Sequence, residues 1–442
     1  MRARLRAALA HQATRTALIS GLFTGLQGIT GLLTARWLGP ADRGIVVLAV
    51  TISSFAVLLG WLGMPALMRI RLSDPTSGLN YRGFELTALR LSALVAVPVL
   101  GGSLAMLSVL GHHPGPWVLA CFALYVGGAL SAALYREATH GIGHHQAAVV
   151  GDLLAAGVLL TGSCGLYVLG HLTVVGFLLS ATVGYAVQCA FLRFAGRHER
   201  GDELDRPPLR ALLASSRSAL LWAVLSAFAW KGDRLMLGLV RPPEDVGVYG
   251  TAATLSDLAW MAPAAVGAIV ARQVAQAGSL TVIPRWRRRL MVVTGACILP
   301  VGGIGTLLLT RALGPGYESG VPALWILCLA ALALASYQTD ISGCQGMGNF
   351  HSAWKAALGG SISLAVLAPP LSAYWSGTGC ALASFAAYTV MAIVGRIEVT
   401  RISKTQSRVS GPFPPGDREN TDTSGRRDAP APPGHVPPQT LG

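Results

Sequence analysis

One stretch of the sequence places charged side chains inside an otherwise apolar helix. The segment LLWAVLSAFAWKGDRLMLGLV, residues 220–240, is interrupted by Lys231, Asp233 and Arg234. Lys231 and Arg234 are three residues apart, so on a helix they share a face. A charge at the bilayer centre costs roughly 2.5 to 3.5 kcal/mol on insertion scales, so each group is expected to face protein or water. We interpret the cluster as lining a central cavity or as forming structural ion pairs.

A carboxylate in the next apolar segment is placed to join this cluster. Each helical residue adds about 1.5 Å to the distance from the turn between the two segments, and this distance gives the depth of a residue in the membrane. Lys231 then lies at about the depth of a residue half a turn from Asp257. An ion pair between Lys231 and Asp257 is therefore our hypothesis for this hairpin.

Three further ionisable residues lie within apolar segments. Arg90 and Asp152 are close to one end of their segments, so snorkelling to the interface explains them without a function. Arg90 is also a candidate for contact with a transported substrate. Asp340, in SYQTDISGCQG, follows polar residues that would suit a water-lined helix end, so it is a candidate for proton or cation coupling. The histidine-containing stretches at 111–115 and 140–145 are predicted on opposite sides of a membrane and indicate no metal site.

The composition indicates the environment in which these charges lie. The chain has 442 residues, of which 52% are hydrophobic and 12% charged, whereas roughly a quarter of residues are charged in soluble domains. Apolar stretches of about 20 residues, enough to cross a bilayer as a helix, recur along the chain. We predict an all-α polytopic membrane protein with about twelve spans: 16–37, 44–67, 86–110, 116–135, 147–169, 172–194, 216–240, 246–270, 289–310, 319–342, 353–374 and 378–399.

The net charge of +14 is distributed as the positive-inside rule requires. Lys and Arg concentrate in alternate loops, which predicts cytoplasmic N- and C-termini in a bacterial cytoplasmic membrane and argues against a nucleic-acid partner. The patch PRWRRRL, residues 284–290, is interpreted as a topology determinant that meets anionic lipid headgroups. The N-terminus is interpreted as a retained first span. The seven cysteines occur singly in apolar runs and are expected to be small buried hydrophobes.

Two short polar turns indicate an internal duplication. GPADRG at 39–44 and PPEDVG at 242–247 share Pro, Asp and Gly at a constant offset of 203 residues. Leu-Gly pairs before spans four and ten keep this offset, and GIG and GMG motifs follow two residues out of register. Six spans per copy predict a parallel repeat. The predicted division is a six-helix bundle at 1–195, a cytoplasmic linker at 196–214, a second bundle at 215–403 and a disordered cytoplasmic tail at 404–442.

Several of these stretches resemble the polysaccharide-exporter branch of the multidrug/oligosaccharidyl-lipid/polysaccharide (MOP) exporter superfamily. ARWLGPADRGIVVLAVTISSF is similar to the first outer turn of that branch, and KGDRLMLGLVRPPEDVGVYGTAATLSD resembles its seventh-to-eighth helix hairpin. LGPGYESGVPALWILCL and CQGMGNF are similar to its tenth-helix region. The resemblance implies two six-helix bundles around a central cavity that opens alternately to each side and moves a lipid-linked oligosaccharide, or a related polar lipid, across the membrane.

A phosphate-linked sugar headgroup is anionic, so the resemblance implies cationic side chains in a wet cavity. The substrate-binding candidates are Lys231, Arg234 and Arg90. The candidates for coupling or ion pairing are Asp233, Asp257 and Asp340. A proton or sodium ion would be the coupling ion, and no cofactor or metal is expected.

The resemblance leaves several functions open. Members resembling lipid II flippases show Asp-Ala-Phe after the first outer turn and arginines in helices two and eight. Here the turn reads Asp42-Arg43-Gly44, and no arginine occurs in 45–66 or 247–270, which favours a surface-polysaccharide intermediate. A multidrug or cation antiporter of the same superfamily is the nearest alternative. A membrane glycosyltransferase or polymerase is disfavoured by the short outer loops, ATP-driven pumping is disfavoured because no Gly-x-x-x-x-Gly-Lys motif occurs, and a non-transporting scaffold stays open.

Overall fold

The computed structural model describes residues 2–60, 100–103, 105, 116–197 and 209–409. Every regular element within these ranges is helical, in agreement with the predicted all-α class. The α-helices are α1 (Arg2–Gly60), α2 (Pro116–Gly141), α3 (His145–Val168), α4 (Val174–Ala195), α5 (Leu209–Val240), α6 (Pro243–Ala277), α7 (Ile283–Leu307), α8 (Val321–Gly346) and α9 (Phe350–Val409). A π-helical turn (Leu308–Ala312) follows α7, and a 3-10 turn (Glu318–Gly320) precedes α8.

The two longest helices, α1 and α9, are each interrupted by a turn. In α1 the break falls at Gly39, whose φ of 75° is open to glycine, and Pro40 follows it. The chain folds back there, as shown by the hydrogen bond that Arg43 Nη1, after the break, donates to Thr34 Oγ1, before it. In α9 the break falls at Trp375 and Ser376. Each helix therefore comprises two legs, and both breaks fall between spans that the sequence predicts as separate.

The described residues form a multi-pass membrane protein. Seven helical segments are long and apolar enough to cross a bilayer: Gly21–Gly60, Pro116–Gly141, His145–Val168, Val174–Ala195, Ile283–Ala312, Glu318–Gly346 and Phe350–Thr405. Helices α5 and α6, which carry the charged cluster, are not among them. Most of the predicted third span and part of the second fall outside the described residues, so the count of twelve stays a prediction.

Contacts between loops define two ends of the molecule. At one end, which we call the turn end, Arg36 Nη1 donates to the Ala312 carbonyl oxygen at 2.6 Å. Tyr317 donates from its hydroxyl to the Ala35 carbonyl oxygen at 2.7 Å, and burial raises the pKa of this hydroxyl to about 12, so it remains a donor at neutral pH. The opposite end, which we call the basic end, carries the start of α7 and the end of α8. α7 and α8 run in opposite directions between these ends, because Arg287 near the start of α7 pairs with Asp340 near the end of α8.

The two duplicated turns contact each other reciprocally at the turn end. A Cβ atom on Gly44 would overlap the Pro243 carbonyl oxygen, and a Cβ atom on Gly247 would overlap the Pro40 carbonyl oxygen. Both pairs are related by the offset of 203, so the contact maps onto itself when the copies are exchanged, as in a twofold interface. This reciprocity supports the duplication, and it explains why both turns need glycine at the same position.

Candidate functional site

A cavity of about 350 Å³ lies among the helices of the N-terminal half of the chain. We call it the first-half cavity. Small side chains contribute to this space, since Ala129, Ala132 and Ala133 of α2 and Ala155 of α3 line it. Its polar lining comprises Gln27, Ser53, Ser54, Tyr125, Arg136, Asp152, Tyr185, Gln188 and Lys231.

Arg136 and Asp152 form a loosely held pair where the cavity approaches the basic end. Arg136 Nη1 lies 3.8 Å from Asp152 Oδ2, and Arg136 Nη2 lies 3.6 Å from Glu137 Oε1. Gln188 Nε2 donates to Asp152 Oδ1 at 2.6 Å. Arg136 Nε is buried without a hydrogen-bond partner. Both Nη–carboxylate distances exceed hydrogen-bond length, and the side chain is 40% exposed, so the Nη groups can donate to an acceptor that enters the cavity.

Lys231 is contributed by α5, which belongs to the C-terminal half, and it lines the same cavity. Its Nζ lies 3.5 Å from Ser54 Oγ of α1, a long hydrogen bond to a neutral group. The first-half cavity thus receives a cation from the other half of the chain, and its charged lining comprises Lys231, Arg136 and Asp152.

The ion pair predicted between Lys231 and Asp257 is wrong. Asp257 pairs instead with Arg234, whose Nη2 lies 3.6 Å from Asp257 Oδ2. The physical reason is that side chains three residues apart on a helix differ in direction by about 60°. Lys231 therefore turns toward α1, while Arg234 turns toward α6.

Asp233 serves the packing of three helices. Its side chain is buried, and it accepts hydrogen bonds from the Arg234 backbone N–H, the Tyr249 hydroxyl and the Ser384 hydroxyl. Tyr249 lies on α6 and Ser384 on α9, so this carboxylate joins both helices to α5. Its oxygens are occupied by protein donors.

Asp340 is fully buried and forms an ion pair with Arg287, whose Nη1 lies 3.0 Å from Asp340 Oδ1 and 3.2 Å from Oδ2. Arg287 belongs to the basic patch that the sequence reading assigned to topology and lipid headgroups. One arginine of that patch therefore turns inward and joins α7 to α8. Arg90, the remaining substrate-binding candidate, lies outside the described residues.

A smaller cavity of about 270 Å³ continues from the first-half cavity, because Gln27 and Val50 line both. We call it the connecting cavity. Asp257 lines it with a side chain that is 56% exposed. This carboxylate also accepts a hydrogen bond from Trp260 Nε1 at 3.2 Å.

Arg136 and Gln188 were missed as site residues in the sequence. In the sequence Arg136 follows an apolar run directly, which is also the place of a charge that sets topology. The available signal was helical phase: Arg136 lies three, four and seven residues after Ala133, Ala132 and Ala129, so the four share a face. Gln188 is a neutral residue within a predicted span, and no charge drew attention to it.

No description of a protein family and no curated protein matches the chain. Solved structures do match it. A MATE transporter in complex with MaL6 superposes with a TM-score of 0.64 at 14% identity, covering 89% of this chain and 96% of that chain. The lipid II flippase MurJ in an inward closed conformation gives 0.64 at 12% identity, covering 87% of each chain. A MOP superfamily transporter from Pyrococcus furiosus gives 0.59 at 14% identity, covering 89% and 95%. The chain has the fold of MOP superfamily transporters.

Proposed function

We propose that this protein is an alternating-access transporter that moves a lipid-linked oligosaccharide or polysaccharide precursor across the cytoplasmic membrane. In this proposal twelve spans form two six-helix bundles, the basic end faces the cytoplasm, and both termini lie there. The contacts of Gly44 and Gly247 then close the molecule on the outer side. A proton or sodium ion would couple the cycle.

The observation that carries the proposal is the charge of the first-half cavity. Lys231 and Arg136 both line it, against the single carboxylate of Asp152. Arginine and lysine are the side chains that bind phosphate, arginine as a planar fork and lysine as a point charge. A net positive cavity with free donors on Arg136 suits a large anionic headgroup.

Transport in proteoliposomes tests this assignment. The probe is a polyprenyl diphosphate-linked disaccharide with a fluorescent label on the sugar, and dithionite quenches only the probe in the outer leaflet. We expect the native chain to make nearly all of the probe accessible to dithionite within the assay. The double variant Lys231→Gln/Arg136→Gln should leave about half protected, as in empty liposomes, because the headgroup loses both cations.

Lys355→Gln provides the matched control, since Lys355 lies in the C-terminal half and does not line the cavity. It should transport at the native rate. Full activity in the double variant would reject the cavity as the headgroup site.

A multidrug or cation antiporter is the second candidate, and one observation favours it. Asp257 is a half-exposed carboxylate in the connecting cavity, beside the apolar side chains of Leu159 and Phe177. A cationic aromatic compound would suit such a surrounding. Ethidium uptake into the same proteoliposomes separates the two functions. Uptake that Asp257→Asn abolishes, without movement of the glycolipid probe, would establish the antiporter.

A further inference from the structure

Arg43 is a buried arginine whose charge has no described counterpart. Its side chain lies at the start of the second leg of α1, and the residue is only 7% exposed. Nη1 donates to Thr34 Oγ1 at 3.1 Å, and Nε is buried without a hydrogen-bond partner. Among the described residues no carboxylate lies within ion-pair distance of it. A buried guanidinium normally has an anionic partner, because its desolvation is otherwise uncompensated.

An apolar groove of about 260 Å³ begins beside this arginine. Its walls come from the first leg of α1, from α6 and from α7. Gly25 and Gly28 form part of one wall, and a Cβ atom on either would meet nothing within 4 Å. The absence of a side chain at Gly25 and Gly28 therefore leaves space along this wall of the groove.

The groove opens to the surroundings of the protein. Three of its lining residues, Ile29, Leu258 and Ile304, are 51%, 41% and 60% exposed. Gly28 lies eleven residues before the turn at Gly39, which places it about 17 Å from the turn end along the helix. At that depth within a bilayer the surroundings are hydrocarbon.

Arg43 also lines the connecting cavity, so it stands between a polar path and an apolar groove. A ligand that satisfies both sides needs an anionic group for the guanidinium and a hydrocarbon chain for the groove. Phosphate oxygens accept charge-assisted hydrogen bonds from a guanidinium. Arg43 Nη2 has no hydrogen-bond partner among the described residues and lies beside Gly31, which lines both spaces, so it can supply such a donor.

We propose that Arg43 binds the phosphate of a lipid whose hydrocarbon chain lies in the groove between α1, α6 and α7. The site would take a lipid phosphomonoester or diphosphate near the turn end. It rests on the proposed function in one respect, since the transported glycolipid carries the same phosphate and chain. Its chemistry holds for any lipid phosphate.

Binding to the purified full-length protein tests the site. The probes are a fluorescent polyprenyl phosphate, the corresponding neutral polyprenol, and inorganic phosphate as a competitor. Arg43→Gln should weaken polyprenyl phosphate binding at least tenfold and leave polyprenol binding unchanged. Gly28→Leu adds a side chain to the groove wall at a position where a Cβ atom meets nothing within 4 Å, and it should weaken the binding of both lipids. Arg311→Gln, an exposed arginine at the same end, is the control and should bind like the native chain.

The melting temperature of Arg43→Gln separates a ligand site from a structural role. Removal of an uncompensated buried charge should not lower the melting temperature of the ligand-free protein, whereas loss of a structural arginine would lower it. The proposal is overturned if Arg43→Gln binds polyprenyl phosphate as tightly as the native chain. It is also overturned if inorganic phosphate competes fully while Gly28→Leu binds normally, because a free anion would then be the ligand.

These outcomes are independent of the transport assay. Arg43-dependent lipid phosphate binding by a protein that does not move the glycolipid probe would retain this site and reject the proposed function. Transport that Lys231→Gln/Arg136→Gln abolishes, together with native binding of polyprenyl phosphate by Arg43→Gln, would retain the proposed function and reject this site.

Discussion

The N-terminal half of the chain encloses a cavity of about 350 Å³ between α1, α2, α3 and α4, whereas the pocket that Trp230, Trp260 and Tyr388 line between α5, α6, α8 and α9 has a volume of about 20 Å³. The difference lies in side-chain volume. Alanines line the first space. Indole and phenol rings fill the second, which is occupied by Trp222, Trp230, Trp260, Tyr337 and Tyr388. Among the described residues, the N-terminal half is therefore open at the first place, and the C-terminal half is closely packed at the second.

Hydrogen bonds and ring contacts hold the packed half together. The rings of Trp230 and Trp260 have centroids 5.3 Å apart, and Trp222 Nε1 donates to the Tyr337 hydroxyl at 3.3 Å. Ring pairs of this kind contribute beyond their buried area. The helices of the C-terminal half are therefore closely packed here, and one of them, α5, places Lys231 in the lining of the first-half cavity.

The charged pairs near the basic end follow the same contrast. Arg287 and Asp340 are 3.0 Å apart, with side chains 13% and 0% exposed. Arg136 and Asp152 are 3.8 Å apart, with side chains 40% and 15% exposed. The first pair is built into the packing of α7 against α8, and the second borders open space. The longer and more exposed pair is the one that suits the proposed contact of Arg136 with a substrate.

Replacement of Arg287 by alanine should have the largest effect on stability. The Asp340 carboxylate would remain buried without its counter-charge, so we expect the free energy of unfolding to fall by about 3 to 5 kcal/mol. The measurement is the melting temperature of the purified protein. Arg288→Ala, which removes the exposed neighbouring arginine, should melt like the native chain. If Arg287→Ala and Arg288→Ala have the same melting temperature, the ion pair of Arg287 with Asp340 does not stabilise the C-terminal half.

The reciprocal glycines are the place where the two halves should respond alike. Alanine at Gly44 or at Gly247 would press a methyl group against the carbonyl oxygen of Pro243 or Pro40. Overpacking of this kind costs about 1 to 3 kcal/mol, and the two single variants should lower the melting temperature by similar amounts. Gly127→Ala, with nothing within 4 Å of the added Cβ atom, is the control. Clearly unequal losses would contradict a twofold relation at the turn end.

The sequence predicted the helical class of the described residues, because apolar length is a local property. It also predicted that the turns at Gly44 and Gly247 correspond, since both carry Pro, Asp and Gly at a constant offset of 203 residues. It did not predict the partner of Lys231, because a difference of about 60° around one helix decides which neighbour a side chain meets. The sequence also did not distinguish Arg287, whose side chain pairs with buried Asp340, from the other arginines of PRWRRRL.

The sequence could not predict the cavity, for a related reason. A cavity is the absence of side chains where several helices meet, and alanines such as Ala129 and Ala155 are as frequent on packed faces as on open ones. Only the assembled helices reveal which small residues face one another. The candidate site was therefore only partly predicted: the sequence indicated Lys231 as a cavity residue, and the structure added Arg136 and Gln188.

Replacement of Arg136 by alanine should have the smallest effect on stability and so sharpens the contrast between the halves. The pair with Asp152 is long and its arginine is 40% exposed, and Gln188 still donates to the carboxylate when Arg136 is removed. We expect a loss below about 1 kcal/mol in the free energy of unfolding, measured as a melting temperature close to that of the native chain and of the control Arg193→Ala. Movement of the glycolipid probe should nevertheless fall sharply, since the cavity loses a headgroup contact. A melting temperature as low as that of Arg287→Ala would instead mean that both pairs are structural, and the open half would then need another explanation for its charge.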